Sequence, residues 1–275
     1  MHKTLLVLSL YFLSYSPSSF CDPQEDRQIF QAVFEKNLPG IPLEQYTFGS
    51  IMLSQDALDQ YWSIMDFPPF QETIERGKEI WETPFGNGKT FSDCMKNKGV
   101  KIAGNYPKYD PKTGNVVTFE MELNNCRTLN GEVAFKHSDR DTMGALTAYA
   151  RKLSDGMEMK IQVSGDKALK KYMEGRALYF RRIGQYNLAC ASCHLTHGGR
   201  YFRDELLSPT IGQPVNFPVF RGGDSLYTLQ MRYQRCMEAV GAVPFEAGSE
   251  DLNNLEYFHS YLSNGLKLNT SVYRR

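Results

Sequence analysis

The 275-residue chain has 31 Lys+Arg against 31 Asp+Glu, a formal net charge of zero, and 41% hydrophobic residues. That is enough apolar material for one large core or two small ones. The even charge balance, with no basic stretch, excludes the phosphate-tracking surface that nucleic acid requires and reads as a mixed solvated exterior.

In chain order, residues 1–21 read as a secretory signal. His2 and Lys3 form a short polar start. The apolar run 5–13 is too short to span a bilayer, and Ser14, Ser16, Ser18 and Ser19 follow. Ser19 and Cys21 stand at −3 and −1 of a cleavage before Asp22. Lipid modification of Cys21 is the alternative, and the bulky Phe20 counts against it. No later apolar run is long enough for a membrane helix. The expected location is the periplasm, where disulfides persist.

Residues 22–60 form an N-terminal extension of mixed character. Helices are predicted over 72–82 and 168–184, the latter from the spacing of Leu169, Tyr172, Met173 and residues 176–180. Residues 226–240 carry Leu226, Leu229, Met231 and Tyr233 at helical spacing. So do residues 250–263 with Leu252, Leu255, Phe258, Tyr261 and Leu262, ahead of a Gly265 stop. Pro and Gly cluster in connections at 85–88, 107–114 and 212–223, and strand signals are weak. The expected fold class is all-α.

Removal of Cys21 leaves Cys94, Cys126, Cys190, Cys193 and Cys236, an odd number for an oxidising compartment. Cys190-Ala191-Ser192-Cys193-His194 has the form of c-type haem attachment. Each thiol takes a haem vinyl, and the adjacent His supplies the proximal iron ligand. Two other readings compete. One is zinc on Cys190, Cys193, a His and Cys236; the other is a thioredoxin-like redox pair. Zinc thiolates are less natural in an exported chain, and no βαβ pattern flanks the motif. One covalent haem c is the expected cofactor.

The chain also contains a degenerate repeat. Residues 75–81 and 173–179 share Gly, a basic residue, an apolar residue and an aromatic at matching offsets. Thr118, Met121, Cys126 and Gly131 match Thr228, Met231, Cys236 and Gly241, each 110 positions on. Leu146, Leu153, Ser154 and Gly156 match Leu255, Leu262, Ser263 and Gly265, each 109 on, and Tyr106-Pro107 echoes Phe217-Pro218. Order and offset imply duplication. The expectation is two tandem cytochrome c-like domains, 61–160 and 161–275, joined near 157–167. In the first, Cys94 falls near Cys193, but Asp93 and Met95 flank it and the proximal His is absent. That domain reads as one that has lost its haem. If Cys94 and Cys126 once faced one haem site, they lie close enough to form a disulfide, replacing part of the lost stabilisation. Two buried free thiols are the alternative.

A sixth iron ligand is sought among Met231, Met237, His197, His259 and Cys236. His197 is too near His194 in sequence to reach the opposite face, and methionines are more often core. Cys236 is favoured, as the remaining cysteine and the repeat mate of Cys126. Arg232 lies one helical turn before it, where a guanidinium can hold a small oxyanion. A haem-propionate or surface ion pair is the competing role for Arg232, and Arg235 is expected to face solvent.

At these residues the chain resembles the A subunit of the SoxAX cytochromes of bacterial sulfur oxidation. The carrying segments are the haem motif, Phe217-Pro218, Phe220-Arg221, Arg232-Tyr233-Gln234-Arg235-Cys236, Pro244-Phe245, Gly248-Ser249, Leu255-Glu256 and Ser263-Asn264-Gly265-Leu266. The missing attachment residues near Cys94 make it similar to the monohaem form. The resemblance implies that His194 and Cys236 are the axial ligands, that Cys236 carries a persulfide, and that Arg232 belongs to the active site. It implies oxidative coupling of thiosulfate to a cysteine of the SoxYZ carrier, an L-cysteine S-thiosulfotransferase activity. The implied partners are a small monohaem X subunit and an electron-accepting cytochrome c. A thiosulfate dehydrogenase and a plain electron-transfer cytochrome are the alternatives; the single attachment motif counts against the first.

Overall fold

The computed structural model describes residues 22–202 and 204–274; the predicted signal segment lies outside them. Helix α1 (Pro23–Asn37) starts where the Asp22 carboxylate accepts the Gln24 N–H at 3.0 Å, with Pro23 in the first turn, where its missing N–H costs nothing. Its buried Asp26 accepts from the Tyr172 hydroxyl at 3.0 Å and from Arg176 Nε at 2.9 Å. An irregular 3-10 run (Leu43–Leu53), kinked at Gly49, leads to α2 (Gln55–Asp66), capped by the Ser54 hydroxyl.

Beyond α2 one series of elements occurs twice. It runs first through α3 (Gln71–Glu82), one-turn α4 (Phe91–Cys94), the cis Tyr106-Pro107 bond, the hairpin of β1 (Lys108–Asp110) and β2 (Asn115–Val117), α5 (Phe119–Leu129) and α6 (Ala145–Lys152). It then runs through α7 (Asp166–Phe180), one-turn α8 (Cys190–His194) and an added hairpin of β3 (Tyr201–Phe202) and β4 (Glu205–Leu206). The cis Phe217-Pro218 bond, the hairpin of β5 (Val219–Arg221) and β6 (Ser225–Tyr227), α9 (Leu229–Ala239) and α10 (Glu250–Tyr261) complete it. Local causes repeat as well. Thr118 and Thr228 cap α5 and α9, their hydroxyls accepting the N–H of Met121 at 3.2 Å and of Met231 at 3.3 Å. Gly131 and Gly241, at φ 84° and 72°, supply the left-handed residue after each helix.

In each series the first and last helices cross closely. A Cβ on Gly77 would meet the Ala145 carbonyl oxygen of α6 at 2.0 Å; one on Gly175 would meet that of Asn254 in α10 at 1.9 Å. Only glycine permits this approach. The segment after α6 is stapled to the chain after α10. Met159 N–H donates to the Leu266 carbonyl at 2.9 Å, and the Asn264 side chain bonds both backbone groups of Ile161. One apolar core runs through both series, from Phe30 and Trp81 to Tyr179 and Phe258.

The predicted helices stand at α3, α7, α9 and α10, with α7 ending at Phe180 rather than 184 and α9 starting only after its Thr228 cap. The all-α expectation needs correction, because the helices are accompanied by three small sheets. One of these is a three-stranded sheet in which β5 lies between antiparallel β6 and parallel β7 (Val272–Tyr273). Strands of two or three residues are too short to show an alternating pattern. Among the described residues no helix is long and apolar enough to cross a membrane.

Gly175→Ala should cost about 1–3 kcal/mol or more, since the added methyl must push α7 from α10. Urea unfolding of the haem-loaded protein, with the exposed Gly86→Ala outside the crossing as comparison, measures it. Equal, small losses in the two variants would contradict the crossing.

Candidate functional site

The attachment motif forms the single turn α8, closed at its start by the Ala189 N–H donating to Ser192 Oγ at 3.1 Å. At its end the His194 ring is fixed. Its Nδ1–H donates to the Ser208 carbonyl at 2.8 Å, to which the Gln213 amide also donates at 3.2 Å. This tautomer leaves the Nε2 lone pair free to take a metal ion. The His194 carbonyl accepts from Thr210 Oγ1 at 2.9 Å and from the Thr210 N–H at 3.0 Å. The Tyr179 hydroxyl in turn donates to Thr210 Oγ1 at 2.6 Å.

Helix α9 supplies the other wall. Cys236 lines the same cavities as His194, and Arg232 stands one turn before it on the same helix. The His194–Cys236 pair lies where two cavities meet. One is largely apolar and includes Tyr179, Ile183, Leu188, Cys190, Cys193 and Met237. The other is polar and includes Arg221, Arg232, Arg274, Gln213 and Glu205. Burial opposes ionisation of Cys236. The hydrogen bond to His194 and the charges of Arg232, His194 and Arg221 outweigh it, so the thiol pKa is lowered. Burial instead pushes Cys190 up to about 12 and raises Cys193. A redox-active pair needs a thiolate, which burial of Cys190 disfavours. Among the described residues no group of three or more His, Cys, Asp or Glu side chains is arranged for a metal ion, so zinc has no geometric support.

Of the other candidates for the sixth position, the two histidines are held by other partners. His259 is buried and neutral, its Nε2–H donating to the Thr210 carbonyl at 3.1 Å while Nδ1 accepts from the Tyr233 hydroxyl at 2.7 Å. Burial depresses its pKa to about 3. His197 Nδ1 bonds the Ser192 carbonyl at 2.6 Å. Met237 lines the apolar cavity, whereas Met231 lines neither cavity. Arg235 pairs with Glu238 at 3.0 Å on the surface. In the first series Cys94 and Cys126 form the predicted disulfide, Cα atoms 5.8 Å apart, which removes the free-thiol alternative. Cys190, Cys193 and Cys236 are free.

Residues 76–159 match the family model described as SoxA/TsdA, cytochrome c domain. The L-cysteine S-thiosulfotransferase subunit SoxA of Chlorobaculum thiosulfatiphilum is 37% identical over 251 residues, covering 91% of this chain and 87% of that protein. The chain belongs to the SoxA family. The SoxA subunit of Allochromatium vinosum is 36% identical over 267 residues, covering 96% of this chain and 94% of its own length. The crystal structure of SoxXA from P. pantotrophus superposes with a TM-score of 0.71 at 26% identity, covering 79% of this chain and 84% of that one.

A cytochrome c domain carries covalent haem, and the SoxA residues present here fit one. Two free thiols, a histidine with a fixed ring tautomer and a cysteine opposite it adjoin an apolar cavity. Sequence reasoning missed the residues that hold this arrangement: Ser208, Thr210, Gln213, the Tyr233–His259 pair, and Arg274, which donates to the Thr47 carbonyl at 2.8 Å. The segments Phe220-Arg221 and Arg232 to Cys236 touched this network in advance, as did His259, there considered as an iron ligand.

His259 makes stability depend on pH. Its folded pKa of about 3 lies below the ordinary 6.5, so its contribution is complete above pH 6.5 and is lost as pH falls toward 3. The slope from this one group is about 1.4 kcal/mol per pH unit. His259→Gln keeps one donor and one acceptor but cannot titrate there. Urea unfolding between pH 7 and 4 should show a flatter acid limb in the variant; parallel limbs would contradict the assignment.

Proposed function

We propose that this chain is the catalytic subunit of a SoxAX-type cytochrome. It joins thiosulfate oxidatively to a cysteine thiol of the SoxYZ carrier protein, as an L-cysteine S-thiosulfotransferase. The observation that carries the reading is the place of Cys236: beside the attachment-motif histidine, one helical turn after Arg232, where the apolar cavity meets an arginine-lined one. The names of its relatives support the activity.

Cys190 and Cys193 would hold one haem c covalently, and His194 and Cys236 would ligate its iron. Bound there, the haem supplies the route by which two electrons leave. The chain's own residues do the rest. Arg232 holds the sulfonate end of thiosulfate and turns its terminal sulfur toward Cys236. The charges that lower the Cys236 pKa keep its sulfur available as the activated group, and Cys236 carries an extra sulfur as a persulfide. The carrier thiol and thiosulfate form one S–S bond and release one proton and two electrons, giving a cysteine S-thiosulfonate. A small monohaem X subunit and an electron-accepting cytochrome c receive the electrons. The likeness to the SoxXA complex of P. pantotrophus supports the X subunit.

We place the protein in the periplasm, exported by the signal segment 1–21, with 22–60 as an extension. Residues 61–160 and 161–275 are two cytochrome c-like domains, the first without haem. The repeated element order and the paired glycine crossings support the duplication. The Cys94–Cys126 disulfide, at the place equivalent to the haem motif and Cys236, supports the loss.

Cys236→Ala should abolish coupling in the complex with the X subunit while intact mass still shows one covalent haem. Arg232→Ala should raise the KM for thiosulfate at least tenfold, by loss of about 1.5–3 kcal/mol, and leave the haem spectrum nearly unchanged. Retained coupling in the Cys236 variant would reject the function.

A further inference from the structure

Three guanidiniums line the Cys236 cavity, and they are not equally free. Arg274 is committed to structure. It donates to the carbonyls of Thr47 and Phe48 and to the Asn216 side chain, tying the C-terminal strand to the 43–53 segment. Arg232 makes no hydrogen bond or ion pair from its side chain among the described residues. Arg221 is held by one partner, Glu205, at 2.7 Å.

The two members of that pair sit on very different supports. Arg221 ends β5, the middle strand of its sheet. The preceding Phe220 is fully buried and stacked on Phe70 with centroids 4.0 Å apart. Glu205 belongs to the two-residue strand β4, which pairs only with β3, and both β3 residues are exposed. The Glu205 side chain is 49% exposed, that of Arg221 25%. So the guanidinium is fixed at the cavity wall and the carboxylate reaches in from a peripheral hairpin.

We infer that Arg221 is a second anion-binding residue of this cavity and that Glu205 is its internal competitor, a tethered carboxylate that an entering sulfonate displaces. The inference rests on the sulfur-coupling reading above. An ion pair this exposed is weak, so its exchange is easy. A doubly charged oxyanion that can engage Arg221 and Arg232 together gains charge-assisted bonds that one carboxylate on one guanidinium lacks. Small monovalent anions gain no such bridge, so the resident carboxylate selects for divalent, multidentate anions. Exchange moves no electrons and breaks no covalent bond: Glu205 swings to solvent and the anion takes its place.

The test uses the haem-loaded chain in complex with its X subunit. Thiosulfate, and separately sulfate, is titrated calorimetrically into the native protein, Glu205→Gln and Arg221→Gln. Glu205→Gln should bind both anions about 3- to 10-fold tighter, with a matching fall in the KM for thiosulfate. Arg221→Gln should bind them about tenfold or more weakly, with the haem absorption spectrum and reduction potential unmoved. Unchanged or weaker binding by Glu205→Gln would overturn the inference. So would a shifted potential with unchanged binding in Arg221→Gln, which would make Arg221 a haem-carboxylate partner. Binding is read without turnover. A native complex that binds thiosulfate but couples none would reject the proposed function, while the variants still decide whether Glu205 competes.

Discussion

The close crossing of α7 and α10 at Gly175 fixes the surroundings of the site. With no side chain on Gly175, α10 lies against α7, and the groups on their facing surfaces reach a common target. Tyr179 from α7 and His259 from α10 both bond Thr210, one at its hydroxyl and one at its carbonyl. Thr210 in turn holds the His194 carbonyl. His259 accepts from Tyr233 on α9, the helix that carries Arg232 and Cys236. The crossing therefore sets the height of the attachment turn and of α9 through buried hydrogen bonds. Such bonds are costly to leave unmade, so the arrangement resists rotation of any one helix.

The same series of elements serves two ends. In the second series a histidine faces a cysteine across an apolar cavity. In the first, the equivalent Cys126 is bonded directly to Cys94 at the end of α4. A disulfide closing a loop of 32 residues restricts the unfolded chain by an amount worth about 3–4 kcal/mol. The core of the first series is filled by side chains such as Trp81 stacked on Phe91 with centroids 5.3 Å apart. It packs into the core of the second as one body.

Much of this was legible in the sequence because its signals were local or repeated. The attachment motif, the helical spacing around Leu252 to Leu262, and the constant offset between Cys126 and Cys236 each follow from pattern along the chain. The disulfide followed from combining two of them. The short strands were missed because two or three residues carry no period. The network from Tyr179 through Thr210 and His259 to Tyr233 was missed for another reason. It joins residues 26 to 49 positions apart, and no local rule pairs a buried histidine with a carbonyl so distant. Glu205 and Arg221 were hidden likewise: each alone reads as a solvated charge, and only the fold brings them to one cavity.

The account turns on Cys236 as the second axial ligand. Electron paramagnetic resonance of the oxidised, haem-loaded protein tests that directly. Low-spin signals of the histidine/thiolate type are predicted. A histidine/methionine signal would contradict the account and leave a plain electron carrier in its place.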